Sequence, residues 1–263
     1  MHFISGLNFL KNNFFNIALA LIPLSFIAGN MVININVILI ILSAAIFYNK
    51  KLVDLKIYFL DKIIITFFIL VIVTGFINDI LVLNKLSWGT NFATTLRSLL
   101  FLKYLLFYFI VRFLIENEII KLKYFFISAS LASIFVCLDL FYQFVNGVDI
   151  FGYKIIPGFR KLGGPFGDEL IAGSYIQRFS IFSFFVLPLF LIRQSKNYIK
   201  YLIPVLFFIF FLGIILSGNR MPLLLFLLTI TLMLIFQKET RKYLLSFIII
   251  LPIFFITIYN SSE

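Results

Sequence analysis

The chain of 263 residues is 62% hydrophobic and 13% charged, against the roughly half apolar and quarter charged composition of an ordinary globular domain. That much apolar surface exceeds what one water-soluble core can hide, so a soluble domain is excluded and an integral membrane protein is expected. The formal charge of +11 lies in short clusters between apolar runs and forms no continuous basic patch, which argues against a nucleic-acid partner.

Uncharged runs from Phe14 to Ile27, Ile63 to Ile77 and Leu202 to Leu216 approach the roughly 20 residues that span a bilayer core as a helix. None alternates as the strands of a membrane barrel must. The expected fold class is therefore all-α: a polytopic transmembrane bundle of about nine helices, forming a single domain over 1–263. In chain order the spans are 14–29, 31–48, 63–83, 96–115, 124–146, 176–192, 199–217, 220–236 and 243–259. The opening stretch has one lysine and no clear small-residue cleavage site, so the first span reads as a retained helix and not a signal peptide. With the N-terminus inside, the cytoplasmic segments collect Lys11, Lys50, Lys51, Lys56, Lys62, Arg112, Lys121, Lys123, Arg193, Lys196, Lys200, Lys238, Arg241 and Lys242, which is fourteen of the 22 basic residues. The positive-inside rule selects that orientation and places the C-terminus outside. The chain stops at Glu263 directly after a hydrophobic span, so a C-terminally truncated chain is expected.

Charges within the spans come next. Arg97 and Lys103 fall near the outer end of the fourth span and Asp139 falls in the fifth. Lys103 and Asp139 are each about seven or eight residues deep, roughly 10–12 Å at the helical rise. Intramembrane charge is costly enough to call for a partner or a wet cavity, so an intramembrane pair of Lys103 and Asp139 is expected. Cys137 is the only cysteine. A disulfide framework and a cysteine-ligated metal site are thereby excluded, and no metal or other cofactor is expected.

The longest loop, about 147–175, falls on the outer side and breaks the charge rule with Lys154, Arg160 and Lys161 beside Asp149, Asp168 and Glu169. Its segment Gly163-Gly164-Pro165-Phe166-Gly167-Asp168-Glu169 supplies tight-turn residues that bring backbone close to a partner. Arg178 opens the next span. The second feature is the short outer turn Ser217-Gly218-Asn219-Arg220-Met221-Pro222. Proline is tolerated in a first helical turn, where its missing N–H would have had no partner. Arg220 is thereby expected at a helix N-terminus, where dipole and guanidinium fork can hold an anionic phosphate together.

With these residues in view, the chain resembles the O-antigen ligase and polymerase superfamily of bacterial polysaccharide-assembly membrane proteins. The Ser-Gly-Asn-Arg-Met-Pro turn is similar to that family's Ser-Arg-Gly-type turn, with Arg220 at the functional arginine. The stretch from Gly164 to Tyr175 resembles the external Gly-x-Phe-Gly segment of some members, and the likeness extends over much of the chain as helix order. Two departures stand out. Asn219 and Met221 replace the serine and glycine of the commoner pattern. The histidine that ligases carry on a large external segment has no counterpart, since the chain's one histidine is His2, on the expected cytoplasmic side.

The resemblance implies a metal-independent transferase in the bacterial inner membrane with its active side facing the periplasm. It would move a glycan from a polyprenyl-diphosphate donor to an acceptor hydroxyl, on the lipid A core for a ligase or on another lipid-linked glycan for a polymerase. Arg220 would bind the diphosphate, helped by Arg97, Arg160 and Arg178, while Asp168 or Glu169 would orient the acceptor. Two readings of other classes stand beside it. A lipid-linked oligosaccharide flippase or transporter would need polar residues continuing to the cytoplasmic side, and these thin out below Lys103 and Asp139. A non-catalytic scaffold holding membrane lipids would tolerate loss of Arg220.

Overall fold

The computed structural model describes residues 12–53, 55–83, 92–155, 161–186 and 196–236, with Arg241 and Leu245. Among these residues the only regular structure is helical, apart from an isolated antiparallel bridge between Val148 and Lys154. The helices are α1 (12–20), α2 (Ile22–Ile27), α3 (Asn30–Val53), α4 (Phe59–Leu83), α5 (Ala93–Glu116), α6 (Leu122–Asn146), α7 (Ala172–Phe179), α8 (Ile181–Val186), α9 (Lys196–Leu216) and α10 (Arg220–Phe236). Asn30–Asn49 of α3, Phe59–Leu81 of α4, all of α5 and all of α6 are long and apolar enough to cross a membrane by length and composition. Leu202–Leu216 and α10 are shorter apolar helices. Large apolar side chains lie on the outside, with Ile46 76% and Phe236 80% exposed. Such an exterior suits lipid, in which helices satisfy their own backbone hydrogen bonds.

Over the described residues, eight of the nine expected spans are helical, with altered limits, and residues 187–192 of the sixth lie outside the described residues. The first is divided at Leu21, where Pro23 sits in the first turn of a new helix. The second runs on to Val53 through a break in helical backbone at Tyr48. The sixth begins earlier, at Ala172, and is divided at Ser180. The ninth, 243–259, lies outside the described residues apart from Leu245.

The chain forms two compact units. The first holds the described residues up to Ala18 and within Ile33–Lys121, built on the pairing of α4 and α5. Asp79, near the end of α4, accepts hydrogen bonds from the Thr95 amide at 2.8 Å and the Thr95 hydroxyl at 2.6 Å. This satisfies one of the amides that a helix start leaves without an intrahelical partner. Gly75 permits close approach, since a Cβ there would run into the Ser98 hydroxyl.

The second unit holds Leu19–Val32 and the described residues from Leu122 onward. It packs α7, α8 and α9 around α6, with Phe184, Phe207, Phe210 and Phe226 fully buried. Small residues set the spacing. A Cβ on Gly213 of α9 would stand 2.6 Å from the Cys137 sulfur of α6 and 3.2 Å from Ile176 of α7. The buried Tyr175 hydroxyl donates to the Pro23 carbonyl at 2.8 Å, joining α2 to α7.

Candidate functional site

The described parts of the connection in the second unit, 147–155 and 161–171, are held by polar groups on α6. Asp139 is fully buried and accepts the Ile150 amide at 2.8 Å. Gln143, also buried, accepts the Gly164 amide at 2.9 Å, while Asp149 accepts the Tyr153 amide at 2.5 Å. Together these bonds hold both the Val148–Lys154 hairpin and the 3-10 turn Gly164–Phe166 against one helix. The chain then turns through Asp168 and Glu169 into α7.

The turn between α9 and α10 meets this connection. Gly218 has φ +68°, the left-handed conformation that glycine takes without strain. Ser217 is buried and donates to the Ile214 carbonyl at 2.7 Å. Asn219 donates from its amide nitrogen to the Leu170 carbonyl at 2.8 Å, fixing the start of α10 to the residues that lead into α7. The two elements approach so closely that a Cβ on Gly173 would collide with the Ser217 hydroxyl.

An open cavity of about 590 Å³ lies at this junction, lined by Lys161, Leu170, Ser174, Gly218, Asn219, Arg220, Met221 and Pro222. Its volume falls within the roughly 300–1,000 Å³ usual for small-ligand sites. Two helices begin here, α7 with Ser174 in its first turn and α10 with Arg220 as its first residue. Helix starts carry unsatisfied amides and positive dipole ends. Among the described residues neither Lys161 nor Arg220 forms an ion pair. Two cations, a hydroxyl, a carboxamide and two helix starts therefore converge on one wall, an arrangement that can bind a multiply charged anion.

Arg220 thus begins α10 and lines the cavity. Lys161 and Ser174 join it there without having been singled out in the sequence, and Asn219, which looked like a departure from a motif, supplies the bond that closes the junction. Asp168 and Glu169 are exposed on the adjoining turn and do not line the cavity. Arg178 is exposed in the last turn of α7, at the end away from the cavity. Arg97 is exposed one turn into α5, in the first unit. Arg160 and His2 lie outside the described residues. Lys103 and Asp139 belong to different units, and each has a partner in its own: Lys103 donates to Asn34 at 2.5 Å, and Asp139 accepts Ile150. No cluster of histidine, cysteine and carboxylate side chains fit to hold a metal occurs among the described residues.

No protein-family model, curated protein or solved structure matches this chain.

Proposed function

We propose that the protein is a glycan transferase of the O-antigen ligase and polymerase type, set in the bacterial inner membrane with its N-terminus in the cytoplasm. In that topology the 147–175 loop and the start of α10 face the periplasm. The observation that carries the reading is the shared cavity of Lys161 and Arg220 at two helix starts. Free anions are held in such places by the same groups, but a diphosphate on a membrane-embedded lipid would also meet the apolar flank of α10, where Met221 and Leu224 are exposed.

In the reaction the bond between the glycan's anomeric carbon and the diphosphate oxygen breaks, and the electron pair leaves with the polyprenyl diphosphate. The acceptor oxygen bonds to the same carbon, and its proton passes to solvent water at the open cavity. Arg220 and Lys161 stabilise the charge that grows on the leaving oxygen, a role that preorganised cations fill without a metal. Asp168 and Glu169, exposed on the turn immediately before the cavity-lining Leu170, would orient the acceptor hydroxyl at the cavity's edge.

The test is complementation. The protein is expressed in cells lacking their surface-polysaccharide ligase or polymerase, and glycolipid ladders are compared with and without Arg220→Ala. Ladders that return and require Arg220 are the expected result, with attachment to lipid A core marking a ligase and chain lengthening marking a polymerase. Ladders that return equally with Arg220→Ala would remove the assigned role, and failure of confirmed membrane-expressed protein in both backgrounds would sink the reading.

A further inference from the structure

The first unit carries a second polar cavity, independent of the glycan-transfer reading. Arg112 of α5 ion-pairs with Asp61 of α4 and with Glu116 one turn on, the latter at 2.7 Å. Its other nitrogen donates to the Lys56 carbonyl, and its guanidinium lies 4.6 Å from the centre of the Tyr58 ring. Asp61 is buried and also accepts the Tyr58 amide at 2.6 Å and the Tyr108 hydroxyl at 2.8 Å. The segment between α3 and α4 is therefore pinned at Lys56 and Tyr58, and both carboxylates are committed to Arg112.

Beside this hub is an open cavity of about 430 Å³ whose lining includes Lys51, Lys56, Tyr58, Asn117 and Glu116, the last already paired with Arg112. Among the described residues neither lysine has a carboxylate partner. Leu55 lines this cavity and also a second one of about 440 Å³, which is wholly apolar in its side chains: Ile41, Ala45 and Leu52 of α3, Leu106, Phe109 and Ile110 of α5, with Leu55 and Ile57 between. From Lys51 to Ile41 the groove follows α3 for about 15 Å at the helical rise. A cationic mouth thus opens beside an apolar groove that runs along two helices long enough to cross a membrane.

We propose that this is a binding site for an anionic phospholipid, with the phosphate head group between Lys51 and Lys56 and one acyl chain in the α3–α5 groove. Two lysines at a helix end supply the charge complementarity that basic pockets between membrane helices offer to anionic head groups, and the groove is what separates a lipid from a free anion. Arg112 acts at one remove, by fixing the backbone that carries Lys56.

The test uses the full chain in phosphatidylcholine nanodiscs or mild detergent, titrated with phosphatidylglycerol and followed by native mass spectrometry and thermal unfolding. Wild type is expected to retain phosphatidylglycerol in preference to phosphatidylcholine and to gain thermal stability from it. Lys51→Gln/Lys56→Gln should weaken retention roughly thirtyfold, equivalent to about 1 kcal/mol per lysine. Ala45→Phe, which fills the groove and leaves the lysines in place, should weaken it as well. The substituted positions are exposed or line an open cavity, and unchanged elution and circular dichroism will confirm that the variants fold. Retention indifferent to both lysines, equal retention of phosphatidylcholine, or a stabilisation reproduced by inorganic phosphate and untouched by Ala45→Phe would each overturn the proposal.

Discussion

Gly213 offers the sharpest test of how the second unit is packed. In Gly213→Ala the new methyl would stand 2.6 Å from the Cys137 sulfur, 3.3 Å from the Cys137 Cβ and 3.2 Å from Ile176, all buried. Alanine in a helix interior gains up to about 1 kcal/mol over glycine, whereas overfilling a packed core costs about 1–3 kcal/mol. The net expectation is a loss of about 1–2 kcal/mol, or roughly 2–8 °C in Tm for a chain of this size. Cys137→Ala alone leaves a void where the sulfur was and is also destabilising. In Gly213→Ala/Cys137→Ala the new methyl enters that void and the closest contact disappears, so the double variant should be more stable than the sum of the single effects, by about 0.5–3 kcal/mol of coupling. Intrinsic-fluorescence thermal unfolding of the four proteins in one detergent measures this. A Gly213→Ala protein that unfolds at the wild-type temperature, or losses that simply add, would refute the helix contact on which the reasoning stands.

Other expectations follow from single bonds. Asp139→Asn keeps an acceptor for the Ile150 amide and should fold and unfold like wild type, whereas Asp139→Leu removes that acceptor and should cost about 0.5–1.5 kcal/mol; equal Tm values for the two would count against the bond. Asn219→Ala loses the tie to Leu170 and should lower stability by about 0.5–1.5 kcal/mol, and it should lower ladder formation in the complementation assay further than that loss of folded protein explains. Tyr175→Phe should remove a similar amount through its bond to Pro23. Equal Tm values for Tyr175→Phe and wild type would contradict that bond.

The helices were legible because continuous apolar runs leave few alternatives, and their order survives in the structure. Their limits were less so. Pro23 divides the first span by starting a new helix, and α7 begins at Ala172 within what read as loop because Gly173 and Ser174 carry no apolar signal. Arg220 was legible as a helix start from Pro222 two positions on, a purely local cue. Lys161 was visible only as a charge on the unexpected side, since its nearness to Arg220 depends on the Asn219 bond to Leu170 and on the packing of Gly173 against Ser217. The buried bonds of Asp139 and Gln143 are likewise tertiary. Their intramembrane polarity signalled a cost, but the compensating groups are backbone amides, which every residue but proline carries and no sequence pattern marks.

The bond from Tyr175 to Pro23 spans 152 positions, and it makes timing part of this architecture. At roughly 5–20 residues per second, about 8–30 s pass between synthesis of the two partners. Throughout that interval the segment around α2 must wait in the company of lipid, or of whatever escorts new helices into the bilayer, for most of the unit that will claim it. The second helix made is thus among the last to be locked in place.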